Sequence, residues 1–419
     1  MAELYDGLAN QWDRIELDRD ATTPIIVAGT GPAGLIAALS LAGRGLDVVL
    51  VGPETGPEDG RTTALMGPAL AFLDQIGVLA TLEEHAAPLR AMRIVDATSR
   101  LIRSPLVTFR ASEIGEEFFG LNIPNRYLNA ALATAVASQS GIERRARMVE
   151  SWLVEPNRVT ATLSDGASVE AALAIAADGR LSKARQAAGI AVSTRAYPQS
   201  ALVLNFAHTR DHGFTSTEFH TETGPFTQVP LPGQRSSLVW VLRPETAAEM
   251  DGLDDLSLSR RVEDAMQSML GRVTVEGRRQ IYPLAATLPF RFAQNRVALV
   301  GEAAHVFPPI GAQGLNLGIR DVVDLTEIIS QFPNDPGSSE ALAAYDRKRR
   351  PDILARAGAV NLLNMSLLSN MLPAQVARSA GLGMIGSFAP LRAFFMREGL
   401  KPGSGGASML TDLRKQVRR

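Results

Sequence analysis

Cysteine is absent from all 419 residues of the chain. Its absence excludes disulfides, thiolate nucleophiles and cysteine-ligated metal centres, and it fits a reducing compartment. Long apolar runs are missing as well. A bilayer-spanning helix needs roughly 18 uninterrupted apolar residues, and the nearest candidate, Ala359 to Leu372, is broken by Asn361, Asn364, Ser366, Ser369 and Asn370. That segment reads either as a helix packed on the protein body or as an amphipathic surface meeting a bilayer or an apolar substrate. The second reading gains from the basic end with Lys401, Arg414, Lys415, Arg418 and Arg419. Charge of one sign is not in excess: the net charge is -2, which gives no nucleic-acid footprint. The first 23 residues carry Asp6, Asp13, Glu16, Asp18 and Asp20 without a long apolar core, so they do not read as a secretory signal. Residues 1–23 are predicted to form a loosely docked extension.

What is present begins at Pro24. Ile25 to Ala28 reads as a strand, Gly29-Thr30-Gly31-Pro32-Ala33-Gly34 as a glycine turn, the next residues to about Ala42 as a helix, and Val48 to Val51 as a second strand. This order makes a dinucleotide-binding β-α-β unit rather than an isolated GxGxxG string. Gly29 permits the tight turn, Gly31 lets a pyrophosphate approach the backbone, and Gly34 lets the helix pack closely. A second such place is the stretch Gly301 to Asp321. Val297 to Val300 reads as a strand that puts Glu302 at its C-terminal end, and Pro308 to Gly314 reads as a rigid turn opening a helix at about Leu315. Unpaired N–H groups and the helix dipole favour an electron-rich ligand there.

Between these places the pattern turns β-rich, with apolar runs at Ala201 to Phe206, Phe226 to Val229 and Ser237 to Leu242. An antiparallel sheet with one buried face is predicted. The fold class is therefore α/β: a Rossmann-like nucleotide-binding domain interrupted by an antiparallel β-sheet substrate domain, with a C-terminal helical region. The predicted boundaries are 24–85, 121–192 and 285–350 for the first, 86–120 and 193–284 for the second, and 351–419 for the last.

A third motif, Ala176-Ala177-Asp178-Gly179-Arg180-Leu181-Ser182-Lys183-Ala184-Arg185, follows an apolar strand. The ordered set of three resembles the single-component FAD-dependent aromatic hydroxylases, the class that includes p-hydroxybenzoate hydroxylase. Within that class the chain is most similar to the ubiquinone-biosynthesis hydroxylases, through Asp59-Gly60-Arg61-Thr62-Thr63-Ala64-Leu65, Asn125-Arg126-Tyr127-Leu128 and Tyr345 to Asp352. The resemblance runs from about Ile25 to Leu400.

The resemblance implies FAD, NADH or NADPH as reductant, and O2, with a hydrophobic aromatic substrate hydroxylated through a flavin C4a-hydroperoxide. It implies that Gly29, Gly31, Pro32, Ala33 and Gly34 cradle the pyrophosphate and that Asp178 and Gly179 lie near it. Gly301 and Glu302 would stand by the ribityl or ribose hydroxyls. Gly311, Ala312, Gln313, Gly314, Leu315 and Asn316 would lie along the isoalloxazine. Arg61 and Asn125 would flank the flavin, and Pro309 would face the substrate. His305 reads either as a structural hydrogen-bonder or, with Pro309, as a catalytic residue.

Two departures stand out. Gly52 replaces the acidic residue expected after the second strand, with Glu54 nearby as a substitute, and Glu302 replaces the usual aspartate. His208, His212 and His220 lie in the β-rich part with no accompanying acidic pattern, and Gly213 interrupts any helix, so no metal site is predicted. Trp12, Trp152 and Trp240 read as packing residues. The leading substrate is a polyprenylated phenol, and the expected location is cytoplasmic, either free or in peripheral contact with the inner face of the cytoplasmic membrane, with other quinone-biosynthesis proteins as partners. A soluble aromatic or polyketide, and a non-catalytic accessory flavoprotein, stay open as alternatives.

Overall fold

The computed structural model describes residues 23–54, 60–309, 313–368 and 372–400. The strands Ile25–Ala28, Val48–Val51 and Leu173–Ala176 are buried at every position. Unbroken burial, in place of alternation, marks strands covered on both faces. They belong to a six-stranded sheet ordered 293–294, 297–299, 173–176, 25–28, 48–51 and 142–145. Every neighbouring pair is parallel except the first, which is antiparallel. The helix Pro32–Ala42 crosses between two of these strands with proline in its first turn, where a missing N–H costs nothing. It packs against the helices Asn125–Ser138 and Gln313–Ile329.

A seven-stranded sheet holds the strands 273–289, 192–208, 235–242, 224–231, 215–221, 91–96 and 107–110 in that order. Its two longest members have 17 residues each. On one face Leu202, Leu204, Phe206, Phe219, Phe226, Leu238 and Leu242 pack with Ala247, Met250, Leu258 and Val262 of the helices Pro244–Asp251 and Asp255–Ala265. Each fully buried leucine or phenylalanine there contributes roughly 1.5–3 kcal/mol. The other face lies under a small sheet of the strands 62–66, 87–88 and 120–124. Asn205 Nδ2 donates to the Gly60 carbonyl at 2.9 Å, Thr62 Oγ1 donates to Ser237 Oγ at 2.8 Å, and Asn122 Nδ2 donates to the Pro230 carbonyl at 2.8 Å. Met66 and Met92 meet in an apolar cluster with Phe119 and Met396.

A further three-stranded antiparallel sheet, 149–154, 159–163 and 168–171, was not singled out by the sequence reading. Helices Ser339–Leu368, Leu372–Ser387 and Ala389–Leu400 close the described chain. Among the described residues no helix is long and apolar enough to cross a membrane.

Candidate functional site

The strands ending at Ala28, Ala176 and Leu299 run side by side and in parallel, so the turns that follow them emerge along one edge of the sheet. Carboxyl ends of strands in open α/β sheets are where ligands bind. At the first turn, a Cβ on Gly29, whose φ is +118°, would lie 2.2 Å from the Ala177 carbonyl oxygen, and one on Gly34 would lie 1.9 Å from the Gly29 oxygen. These two glycines are demanded by packing alone. Gly31 differs: a Cβ there would meet nothing within 4 Å. Its neighbours Pro32 and Ala33 open the helix.

Asp178 accepts from the Ala184 N–H at 3.3 Å through one oxygen, while its Oδ1 is buried with no partner among the described residues. Gly179 follows with φ +82°. Gly301, with φ +60°, abuts Ala33. Glu302 is half-exposed and takes an N–H from Arg180 Nε at 3.1 Å; so open a pair contributes little to stability.

The third turn leads into the helix Gln313–Ile329, two residues earlier than the predicted Leu315. Gly311 and Ala312 lie outside the described residues. A Cβ on Gly314 would meet open space, and Leu315 packs on the main core. Asn316 clamps the small sheet, accepting from the Met66 N–H at 2.9 Å and donating to the Ala64 carbonyl at 2.7 Å. Asn125 is buried; its Oδ1 accepts from Thr63 Oγ1 at 2.6 Å and its N–H donates to the Arg61 carbonyl. The Arg61 guanidinium lies over the Tyr282 ring, 5.4 Å from its centroid. Pro309 is exposed and Pro308 buried.

Behind the third turn lies a buried charge network that the sequence reading missed. The His305 side chain is 1% exposed, and its Nε2 is 2.7 Å from Asp321 Oδ2. The same oxygen accepts from the Gly301 N–H at 3.0 Å. Asp321 Oδ1 accepts from Arg349 Nε at 2.8 Å, and Arg349 Nη1 donates to Asp324 at 2.8 Å and Asp352 at 3.0 Å. Burial lowers the Arg349 pKa, but Asp321, Tyr345, Asp324 and Asp352 together outweigh it, and the net shift is upward. Burial likewise raises the Asp324 carboxyl despite the guanidinium beside it. Tyr345 is fully buried and donates to the Leu299 carbonyl at 2.8 Å. A helix spacing of acid and base was visible at Arg349 and Asp352; the long-range partner Asp321 had no local signal.

Gly52 has a physical reason. A Cβ there would lie 2.7 Å from Thr30 Cγ2 and 2.8 Å from Thr30 Oγ1, and Thr30 is held by donating to the Pro53 carbonyl at 2.9 Å. Glu54 is exposed. Each of these histidines has its own hydrogen-bond partners. His208 bonds Ser236 and the Arg210 carbonyl, His212 the Leu231 carbonyl, and His220 Glu218. Among the described residues no group of three or more His, Cys, Asp or Glu is placed to hold a metal ion. Trp240 packs edge-on to Phe226, and Trp152 borders the main core; Trp12 lies outside the described residues.

Comparison with known proteins decides what this edge belongs to. The FAD binding domain model matches residues 22–357. The chain belongs to the FAD-dependent aromatic hydroxylase family. Ubiquinone hydroxylase UbiL of Rhodospirillum rubrum is 33% identical over 401 residues, covering 91% of this chain and 90% of that protein. The 3-demethoxyubiquinol 3-hydroxylase of Escherichia coli is 27% identical, covering 86% and 94%. The crystal structure of p-nitrophenol 4-monooxygenase from Pseudomonas putida superposes with a TM-score of 0.76 at 20% identity, over 91% of this chain and 99% of that one, and shows the shared fold. The edge fits the family's cofactor. Open space at Gly31 and Gly314 admits a pyrophosphate and a ring to the backbone, and the orphaned Asp178 oxygen matches a ligand hydroxyl.

Proposed function

We propose that this hydroxylase acts on a polyprenylated phenol in ubiquinone biosynthesis, with NADH or NADPH as reductant and O2 as oxidant. The observation that carries the reading is the 33% identity to a ubiquinone hydroxylase across nearly the whole of both chains. When bound, the reduced flavin supplies the electrons that activate dioxygen for insertion into the ring. Gly29 to Gly34 hold the pyrophosphate, with Gly31 at the point of contact. Asp178 and Glu302 receive sugar hydroxyls, and Gly179 and Gly301 give the backbone room to reach them. Gly314, Leu315 and Asn316 would line the ring, where the helix N-terminus would stabilise its negative charge when reduced. Arg61 and Asn125 flank the ring, and Pro309 walls the substrate side. His305 we assign a positioning role: Asp321 holds its Nε2, and the same carboxylate oxygen takes the Gly301 N–H at the cofactor turn.

The apolar substrate also accounts for an apolar surface. Exposed Leu101, Leu106, Met384, Phe388 and Phe395 lie on two segments joined where Ser379 Oγ donates to the Arg103 carbonyl at 3.2 Å. Residues 99–110 and 372–397 carry arginines and no acidic residue, which suits peripheral contact with an anionic membrane face. Other quinone-biosynthesis proteins are the partners that a membrane-held substrate calls for.

The test is expression in a strain lacking its own quinone-ring hydroxylases, with product analysis. Restored quinone is expected and fixes the ring position. Equal hydroxylation of prenylated and unprenylated phenols by the purified protein would defeat the lipid-substrate assignment.

A further inference from the structure

A phenol reacts with an electrophilic oxygen faster as its phenolate, and none of the residues assigned above takes the proton. The seven-stranded sheet carries a pair suited to do so. Phe219 belongs to the cluster facing the helices 244–251 and 255–265, so its strand neighbours Glu218 and His220 project from the opposite face. Three observations identify what that face looks at. Glu218 stands opposite Thr227, Thr227 opposite Val239, and Val239 opposite Val203, which puts all four on one face. Asn205 and Ser237, two positions on from Val203 and Val239, hold Gly60 and Thr62. Met92, opposite Ser216, packs with Met66, whose N–H is held by Asn316 at the cofactor helix. Glu218 and His220 therefore stand on the sheet face turned toward the cofactor turn.

The pair is built as a carboxylate–imidazole couple. His220 Nε2 lies 2.9 Å from Glu218 Oε1, with the two side chains 4% and 19% exposed. Thr227 Oγ1 adds a 3.4 Å bond to the other Glu218 oxygen. With Nε2–H given to the carboxylate, the neutral ring keeps its lone pair on Nδ1. That nitrogen is buried and has no partner among the described residues. Its register neighbour on the next strand, Asp96, accepts from Thr98 and Ser104 and so faces its own loop.

We infer that His220 Nδ1 accepts the proton of the ring hydroxyl of the bound substrate, and that Glu218 positions the imidazole for it. This rests on the aromatic hydroxylase reading and supplies the acceptor that reading lacks. The O–H bond breaks, its electron pair stays on oxygen as phenolate, and an N–H bond forms at Nδ1. The resulting imidazolium is paired with the Glu218 carboxylate. After oxygen insertion the proton returns to the product's oxygen, so no net proton is consumed at the pair.

The test uses the full-length, FAD-loaded protein and a nitrophenol bearing an ortho isoprenoid chain, whose phenolate absorbs visible light. The wild type is expected to bind this probe as phenolate at a pH where free probe is largely neutral. His220→Gln should bind it with similar affinity but as the neutral phenol, its bound pKa raised by about one unit or more. Turnover should fall roughly 10²–10⁴-fold near neutral pH and recover as the pH rises. Glu218→Gln should show a weaker form of both effects, and Glu218→Asp should restore the phenolate band. Retained yellow colour and melting temperature exclude misfolding as the cause. An unchanged phenolate band and pH profile in His220→Gln overturn the assignment. A wild type that binds no phenol at all instead sinks the hydroxylase reading, and the proton acceptor with it.

Discussion

The two sheets face the proposed site by different means. The parallel sheet presents turns whose glycines either let backbone pass close to Ala177, at Gly29, or face open space, at Gly31 and Gly314. The seven-stranded sheet presents side chains, with Asn205, Glu218, His220 and Ser237 drawn from three strands of one antiparallel run. Backbone recognition leaves a local, contiguous mark in a sequence. Side-chain recognition on a sheet leaves an alternation pattern, and nothing in the alternation says which polar residue matters.

Breaking the support behind the turns should have the largest effect. Arg349→Met would leave the buried Asp324 without its guanidinium and Asp321 with only His305 and the Gly301 N–H, and a loss of about 3–5 kcal/mol is expected, read as a lower denaturant midpoint. A loss within about 0.5 kcal/mol would mean that the network is slack. The next test separates packing glycines from contact glycines. Gly31→Ala and Gly314→Val face open space, so the cofactor-free protein should melt normally while FAD affinity falls roughly 10–100-fold, about 1.4–2.8 kcal/mol. Normal FAD occupancy and activity in Gly314→Val would remove that turn from the proposed contact. Smaller still is Glu302→Asp. Its partner Arg180 is exposed, so stability should change by less than about 1 kcal/mol, with FAD binding retained if the carboxylate fills its proposed place.

The smallest effect tests the side-chain sheet by pH. Burial depresses the His208 pKa below its ordinary value. Its contribution to stability is therefore complete above the unfolded value of about 6.5 and is lost as pH falls below it toward the folded value. Replacing it with glutamine should flatten the fall in unfolding free energy just below that pH. An identical slope in both proteins would show that His208 does not titrate differently on unfolding.

This contrast explains what could be read in advance. The first β-α-β unit was legible to within a residue or two, since apolar runs and glycines both punctuate it. The runs at Ala201, Phe226 and Ser237 proved to be pieces of longer strands, whose added residues include buried polar side chains such as Gln199, Ser200 and Ser236 that break the apolar pattern. The helix in the stretch Gly301 to Asp321 starts at Gln313, since its first turn needs no apolar residue. Asp321 and Arg349 were visible as letters of the family pattern, but their ion pair spans 28 positions and has no periodicity to betray it. Asp178 and Glu302 were visible in the same way, while the bond from Arg180 to Glu302 joins two motifs 122 residues apart.

Gly52 carries a consequence for how this sequence can change. An acidic residue cannot be installed there in one step, because its Cβ would enter space that the Thr30 side chain occupies. Thr30 must shrink first, giving up its bond to Pro53. The two positions are thus epistatic: Gly52→Glu should be tolerated far better in a Thr30→Ala background than alone, and the double change should depart from the sum of the singles by about 0.5–3 kcal/mol. Sequence drift at the end of this strand is ordered, with the turn leading and the strand following.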